Sequence, residues 1–214
     1  KVIQLPEHIS PEYVKNQNGK PGILALKLES IDGEIKGVPF VVPGGRFNEM
    51  YGWDSYFESV GLLLDDKVDL AKAMADNFQY EIEHYGKILN ANRSYYLTRT
   101  QPPFYSSLIG EVFEITKDKN WLSSHLQTAI KEYETVWMVP EKRLTNTGLN
   151  RYYAEGIGLP PEVEEGHYNE LLRPFAQKAK MSISDYEKGY YRREIENKEL
   201  DEYFIHDRSV RRSE

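Results

Sequence analysis

The sequence predicts a mainly α-helical protein whose helices follow one another as antiparallel hairpins. After residue 50, apolar residues recur at intervals of three and four, the spacing that places them on one face of a helix. The predicted helices are joined alternately by short turns and by long loops rich in Trp, Arg and Asn. No long strand pattern follows residue 50, so the sequence belongs to the mainly α class.

Residues 1–50 are predicted to form an extended, loop-rich lead-in to the helical part. They are rich in Pro and Gly, which interrupt regular structure. Their short β-prone runs, at 22–28 and 37–42, are interpreted as extended segments and loops and not as a sheet.

Three helices are predicted in the next part of the chain. The first begins near Tyr51 or Gly52, and the second follows a break at residues 65–66. The third follows the proline pair at 102–103. Its inward-facing residues are expected to be Leu108, Ile109, Val112, Phe113 and Ile115.

A fourth helix is predicted from a cap at Asp118 or Asn120 through Trp137. Asp and Asn side chains accept hydrogen bonds from the unpaired N–H groups of a first helical turn. A loop punctuated by Gly and Pro then covers roughly residues 140–166.

Helices are expected to resume with a group of apolar residues that comprises Leu171, Leu172, Phe175 and Ala176. A polar helix capped by Ser182 or Ser184 is then predicted to run through about Leu200. The sequence thus predicts about six helices after residue 50.

Composition excludes several classes of function. The 214 residues are 40% hydrophobic and 29% charged, as in a globular protein. A net charge of -7 and a pI of about 5.4 argue against nucleic acid as a partner. The chain has no cysteine and its histidines show no paired ligand spacing, so no metal site is predicted. No apolar run approaches the ~20 residues that span a bilayer, and we expect no membrane partner.

A first block, residues 43–56, has the composition of a pocket for a polyhydroxylated ligand. A sugar has an apolar ring face and a polar hydroxyl edge, so its site needs an aromatic platform and charged groups that bind hydroxyls. Trp53 and Asp54 supply both, while Gly44 and Gly45 permit backbone angles closed to other residues. The alternative is an ordinary helix-entry turn with a buried Trp.

The first block matches every fixed position of the trehalase signature Pro-Gly-Gly-Arg-Phe-x-Glu-x-Tyr-x-Trp-Asp-x-Tyr, and the chain thereby resembles the trehalase family. A second block, residues 88–103, is similar to the next conserved block of that family and, in detail, to its fungal neutral branch. Two long matches in the same order argue against coincidence.

The resemblance implies an α/α toroid, which is a barrel of six helical hairpins. About six helices are predicted here, so we expect a partial toroid of about half the barrel, preceded by the loop-rich lead-in. Residues 51–214 would then be the first half of the catalytic domain. The N-terminal regulatory region of fungal relatives and the C-terminal half of the barrel are expected to lie outside this chain.

The implied activity is hydrolysis of α,α-trehalose to two glucose molecules by an inverting mechanism with two carboxyl groups. In the family the acid is an Asp just beyond a His-Asp-Arg-x-x-Arg run, which is present here as residues 206–211, and the base is a Glu far downstream. Both carboxyl groups are therefore expected beyond Glu214. No catalytic residue is assigned within the chain.

Eight positions resemble the substrate contacts of the family, and they are Arg46, Trp53, Asp54, Asn90, Arg99, Gln101, Glu162 and Arg211. An Arg guanidinium can donate two parallel hydrogen bonds to a hydroxyl pair or to a carboxylate, which Lys cannot do. The alternative is that Arg99 is a surface residue and Asn90 a turn residue. At the site of Glu162 many relatives carry the run Arg-Pro-Glu. Here the run is Pro-Pro-Glu, so Pro160 stands in place of the Arg.

The resemblance also implies trehalose as the ligand and the cytoplasm as the location. Fungal relatives are regulated by N-terminal phosphorylation, a 14-3-3 protein and calcium. The determinants of all three are expected outside this chain, so no cofactor is predicted within it. The alternative functions are a non-catalytic fragment that binds sugar, or a half-ring that associates with another chain through exposed apolar faces.

Overall fold

Eight α-helices and one two-stranded hairpin make up the regular structure of the described part of the chain in a computed structural model. That part comprises residues 1–20, 22–159, 163 and 165–210. In chain order the elements are α1 (Pro11–Lys15), β1 (Leu28–Ile31), β2 (Glu34–Gly37), α2 (Gly52–Leu64), α3 (Val68–Tyr85), α4 (Tyr105–Thr116), α5 (Lys119–Glu132), α6 (Asn169–Ala179), α7 (Ile183–Tyr191) and α8 (Lys198–Val210).

The chain divides into two compact units. The first unit combines Lys1–Gly22 with Ala154–Glu214, and the second unit is Ile23–Tyr153. Both sequence blocks lie in the second unit. None of the helices, within the described ranges, is long and apolar enough to cross a membrane.

The predicted helices of the second unit are confirmed. α2 begins at Gly52, α3 follows the break at residues 65–66, and α4 begins just after the two prolines. Their shared core contains Met50, Leu63, Ala71, Met74, Ala75, Phe78, Ile82, Ile88, Tyr105, Leu108, Ile109 and Val112. The prediction that Ile115 faces inward is wrong. This side chain lies in the last turn of α4 and is 52% exposed.

Two predicted caps are also confirmed. The Asp118 carboxylate accepts hydrogen bonds from the N–H groups of Asn120 and Trp121, both at 3.0 Å, so it closes the start of α5. Ser182 caps α7 by accepting from the N–H of Asp185 at 3.1 Å. The fourth predicted helix extends to Trp137 as expected, but its last turn, Tyr133–Trp137, is a π-helix that continues α5.

The interpretation of residues 1–50 as lacking a sheet is wrong. β1 and β2 form an antiparallel hairpin whose turn consists of Asp32 and Gly33, with φ angles of 53° and 80°. Two successive positive φ angles define the tight turn that matches strand twist, and Asp-Gly is a preferred sequence for it. Every residue of both strands is exposed, so neither strand has a buried face that would produce an alternating apolar pattern in the sequence.

The single polar helix predicted through Leu200 is also wrong, because α7 ends at Tyr191 and α8 starts at Lys198. Arg193 adopts a positive φ of 61°, which an α-helix does not accommodate. Asn197 then accepts a hydrogen bond from the N–H of Leu200 at 3.1 Å and caps α8.

A buried polar chain ties α3, α4 and α5 together. The Tyr105 hydroxyl lies 2.6 Å from His125 Nδ1, and His125 Nε2 lies 2.9 Å from Asp76 Oδ1. Burial alone would raise the pKa of Asp76, but the hydrogen bond from His125 and the positive charge of Lys27 together hold this pKa below its usual value. His125 is 1% exposed, in agreement with a structural role for this histidine.

In the first unit, a buried lysine joins α1 to α8. Lys15 is 3% exposed and forms an ion pair with Asp201. The Tyr190 hydroxyl donates to the same carboxylate at 2.5 Å, and the Lys15 ammonium lies 4.5 Å from the Tyr190 ring centre. These contacts satisfy a charge that would otherwise be costly to bury.

Candidate functional site

The first block begins with a tight turn. Gly44 and Phe47 exchange two backbone hydrogen bonds of 3.1 and 3.0 Å, and Gly44 and Gly45 have φ angles of 89° and 63°. A Cβ at either glycine would meet no atom within 4 Å, so the positive φ and not the available space favours glycine there. Arg46 is exposed on this turn, with its guanidinium carbon 4.9 Å from the Phe47 ring centre.

The second block caps the helix that leaves the first block. α2 has no side-chain cap from its own N-cap residue, Tyr51. Instead the Gly52 N–H donates to the Asn90 carbonyl at 3.4 Å, and the Trp53 N–H donates to Gln101 Oε1 at 2.7 Å. Both N–H groups belong to the first turn, which has no intrahelical acceptors. The two blocks are therefore joined at the N-terminus of α2.

The second block folds back on itself around a short 3₁₀ turn at Ser94–Tyr96. The Asn90 N–H donates to the Arg99 carbonyl at 3.1 Å, and the Arg99 N–H donates to the Tyr96 carbonyl at 2.9 Å. Arg99 is 7% exposed, so the alternative that it is a surface residue is wrong. The Tyr152 hydroxyl also donates to the Thr100 carbonyl and so helps to hold this loop.

An ion pair makes a further link between the blocks. Arg93 reaches Glu49 Oε1 with its Nε at 2.6 Å and with a terminal nitrogen at 2.5 Å. The Glu49 side chain is 11% exposed. Next to it, the Met50 N–H donates to Asn92 Oδ1 at 3.0 Å, and Asn92 is 4% exposed. Neither link was predicted, because the pattern within each block does not reveal which residue of the other block it meets.

Trp53 is not a core residue. Its side chain is 44% exposed, so the alternative of a buried Trp at a helix-entry turn is wrong. The indole ring centre lies 6.1 Å from Phe57, which in turn contacts Phe104 at 5.5 Å. Tyr56 stacks on Phe104 at 4.7 Å with an interplanar angle of 18°. The result is an aromatic surface that starts at the partly exposed side chain of Trp53.

Two carboxyl groups lie one helical turn apart beside this surface. Asp54 is half-buried in the first turn of α2, where the helix dipole favours a negative charge. Both carboxyl oxygens of Glu58 are buried without a hydrogen-bond partner among the described residues. Burial, and then repulsion from Asp54, raise the pKa of Glu58.

A third carboxyl group lies beneath the second block. Glu81 of α3 is 1% exposed, and its Oε2 accepts a hydrogen bond of 2.9 Å from the Leu89 N–H. Burial raises the pKa of Glu81 to about 8. The sequence did contain a signal for this site, because Glu81 lies seven residues after Met74 on the apolar face of the predicted helix.

The structure thus brings the backbones of Asn90 and Arg99 and the side chain of Gln101 to the N-terminus of α2, where Trp53 and Asp54 lie. Arg46 is placed on the exposed turn, with its guanidinium over the Phe47 ring. Glu162 and Arg211 lie outside the described residues, so their predicted roles remain predictions.

The described residues bear on two other kinds of site as well, a cavity and a metal-binding cluster. A cavity of about 330 Å³ is lined by Lys27, Leu28, Gln79, Tyr80, Glu83 and His84, none of which was predicted to bind sugar. Across the residues that are described, no three His, Asp or Glu side chains are grouped so that they could hold a metal ion.

Comparison with known proteins identifies the family. The sequence matches the trehalase family over residues 1–214. It is 51% identical to the cytosolic neutral trehalase of Neurospora crassa and 45% identical to that of Saccharomyces cerevisiae, each over 99% of this chain. The chain spans 30% of the length of both relatives.

A solved structure of a neutral trehalase from Saccharomyces cerevisiae is similar to this one, with a TM-score of 0.80 and 46% identity, over 98% of this chain and 40% of that chain. The similarity confirms the predicted fold class, which is mainly α and part of an α/α toroid. Together, the full-length sequence match, the two signature blocks and the shared fold show that this chain belongs to the trehalase family.

Proposed function

We propose that the protein containing this chain hydrolyses α,α-trehalose to two glucose molecules, and that residues 1–214 supply part of the sugar-binding site. One observation carries the proposal beyond the family match. The hydrogen bond from Trp53 to Gln101 joins the two signature blocks at 2.7 Å, so residues that are 48 positions apart in sequence meet at one helix terminus.

The side chains at this terminus have complementary chemistry for a glucose unit. The partly exposed indole of Trp53 can cover the apolar ring face, and the carboxylate of Asp54 can accept hydrogen bonds from hydroxyls. Because Gln101 uses its Oε1 on the helix, its amide nitrogen remains able to donate to the sugar. Arg99, Asn90 and Arg46 are proposed as further hydroxyl contacts by their positions in the blocks.

The bond-breaking groups are proposed to lie beyond Glu214. An inverting glycosidase protonates the leaving oxygen with one carboxyl group and activates water with another. In this scheme residues 1–214 orient one glucose unit and exclude water from its ring face. The scheme needs no cofactor in this chain, because both steps are carried out by carboxyl groups and water.

Inversion makes a prediction that can be measured directly. Water attacks one anomeric carbon of α,α-trehalose from the opposite face, so one product forms as β-glucose while the leaving sugar is released as α-glucose. Proton NMR of the full-length protein with trehalose should therefore show equal α and β anomeric signals at the earliest times. Only α-glucose would contradict inversion, and no glucose at all would contradict the proposed function.

A matched pair of variants tests the contribution of Asp54. Asp54→Asn should lower kcat/KM for trehalose by about 100-fold or more, since it removes a charged contact to the sugar. Asp69→Asn is the control, because Asp69 occupies the first turn of α3 as Asp54 occupies that of α2. Equal effects of the two substitutions on activity would rule out a specific role for Asp54.

The remaining predictions about the whole protein are proposals of the same kind. The Neurospora crassa and Saccharomyces cerevisiae relatives are named cytosolic, and we propose the cytoplasm for this protein. The 14-3-3 partner and the calcium site are proposed to involve parts of the full-length protein other than residues 1–214. Co-purification of a 14-3-3 protein with the phosphorylated full-length protein, and not with its dephosphorylated form, would support that partner.

A second candidate applies when residues 1–214 are produced alone. One face of α2 exposes Trp53, Phe57 and Leu64 to 44%, 57% and 81%, respectively. Such an apolar face favours association, so the fragment is proposed to be inactive and to self-associate. Light scattering after size-exclusion chromatography should then report a dimer or a larger species, and a monomer would contradict this candidate.

A further inference from the structure

We infer that Glu81 is a positioning residue, whose buried carboxyl group fixes the second block in the geometry that presents Asn90 and Arg99 to the sugar. The inference rests on the proposed function, because the residues it positions are the proposed sugar contacts. Glu81 itself lies outside both signature blocks.

The position of the carboxyl group is the first argument. Glu81 projects from α3 and is 1% exposed, and its Oε2 accepts the Leu89 N–H at 2.9 Å. Leu89 is also buried and immediately precedes Asn90. The hydrogen bond therefore holds the backbone at the point where the second block begins.

The backbone of Asn90 is the second argument, because it is where the two blocks join. Its N–H donates to the Arg99 carbonyl at 3.1 Å, and its carbonyl accepts from the Gly52 N–H at 3.4 Å. A displacement at Leu89 would thus change the position of Arg99 and of the first turn of α2. Gly52 leaves little space for such a change, since its Cβ position lies 3.3 Å from the Leu89 carbonyl.

The free-energy cost of burying the Glu81 carboxyl group is the third argument. A buried carboxyl group with a single hydrogen bond destabilises a fold compared with an apolar side chain of similar size. The other oxygen, Oε1, is buried without a hydrogen-bond partner among the described residues. Burial raises the pKa of Glu81 to about 8, so at neutral pH it can accept the Leu89 N–H as an uncharged acid. An apolar residue at position 81 could not accept the hydrogen bond from the Leu89 N–H.

The experiment compares Glu81→Gln with Glu81→Met in the full-length protein. Gln retains a carbonyl oxygen that can accept the Leu89 N–H, whereas Met fills a similar volume without an acceptor. We expect Glu81→Met to lower kcat/KM for trehalose by about tenfold or more, since misplaced contacts weaken transition-state binding. Glu81→Gln should remain within about threefold of the wild type by the same argument.

Glu83→Met is the matched control. Glu83 lies on the same helix, but its carboxyl group is directed to α5, where it accepts a hydrogen bond of 3.2 Å from the Thr128 hydroxyl. The same chemical change at this position should leave kcat/KM unchanged. It thereby separates the effect of losing a carboxyl group on α3 from the effect of losing the hydrogen bond to Leu89.

A second readout does not depend on activity. Amide hydrogen exchange over residues 88–92 should be faster in Glu81→Met than in the wild type, and unchanged in Glu81→Gln and Glu83→Met. Unchanged exchange in Glu81→Met would overturn the inference. It would also be overturned if Glu81→Met lost activity only in proportion to a general loss of folded protein, or if Glu81→Gln were as impaired as Glu81→Met. A wild type that releases no glucose would overturn the proposed function, while the exchange result would still decide the role of Glu81.

Discussion

The Trp53 N–H donates to Gln101 Oε1 at 2.7 Å, so the helix that carries Trp53 and Asp54 is capped by a side chain from the second block. Trp53 is the second residue of α2, and its N–H has no intrahelical acceptor. The family resemblance predicts Gln101 as a sugar contact. Its structural position gives it a second task, because its Oε1 holds the helix while its amide nitrogen is the group proposed to contact the sugar.

The two tasks of Gln101 are separable by substitution. Gln101→Ala should lower stability by about 1 kcal/mol through loss of the cap and should also lower kcat/KM. Gln101→Glu keeps an acceptor for the Trp53 N–H but removes the amide donor, so it should retain stability and lose activity. Thermal unfolding and trehalose kinetics of the two full-length variants would check this, and a large loss of stability in Gln101→Glu would show that the cap depends on more than the acceptor.

The sequence was most informative for helices with an apolar face and a capped start. Asp118 and Ser182 were predicted as caps because local hydrogen bonding requires only neighbouring residues. The hairpin was missed because its strands are fully exposed, although Asp32 and Gly33 were a usable turn signal. The end of α7 was missed because the left-handed backbone of Arg193 depends on packing and not on residue type.

Within the site, the sequence selected candidate residues but did not indicate how they are held. Arg99 and Gln101 were selected by their block, but the partner of Gln101 is 48 residues away and no local pattern encodes it. Glu81 was not selected, because one acid on an apolar helix face is a weak signal. Its meaning depends on the Leu89 N–H, which approaches only when the chain folds back.

Gly52 is predicted to be required for close packing and not for an unusual backbone. A Cβ at this position would lie 3.0 Å from Gln101 Oε1 and 3.1 Å from Gln101 Cβ. Gly52→Ala should therefore displace Gln101 and destabilise the protein by about 1–3 kcal/mol. Gly61→Ala on the same helix meets nothing within 4 Å and should stabilise it by up to about 1 kcal/mol through helix propensity. Urea denaturation of both variants would check the opposite signs; stabilisation by both would contradict the steric argument.

The ion pair between Glu49 and Arg93 is predicted to couple the two blocks energetically. Its contacts of 2.6 and 2.5 Å are short and the Glu49 side chain is only 11% exposed, so solvent screens it less than a surface pair. A double-mutant cycle with Glu49→Gln and Arg93→Met should give a coupling energy of about 1–2 kcal/mol from urea denaturation. Additive effects of the two substitutions would show that the hydrogen bonds between the blocks join them without a contribution from this ion pair.

The buried carboxyl groups of Glu81 and Glu132 are predicted to make stability fall as the pH rises. Burial raises the pKa of Glu81 to about 8 from 4.5, and that of Glu132 to about 7 from 4.5. Between the two values for each group, the unfolded chain has released its proton while the folded chain retains it. The free energy of unfolding should therefore decrease by at most about 1.4 kcal/mol per pH unit for each group, and the decrease should cease above the folded pKa.

Substitution by Gln removes each titration and isolates its effect. The difference in stability between Glu81→Gln and the wild type should increase from about pH 4.5 to about pH 8, and the corresponding difference for Glu132→Gln should level off about one pH unit earlier. Both curves come from urea denaturation at a series of pH values. A Glu81→Gln curve parallel to the wild type across this range would mean that the folded protein holds Glu81 ionised. The Leu89 N–H would then be bound by a carboxylate, whose stronger hydrogen bond would have to offset the cost of burying its charge.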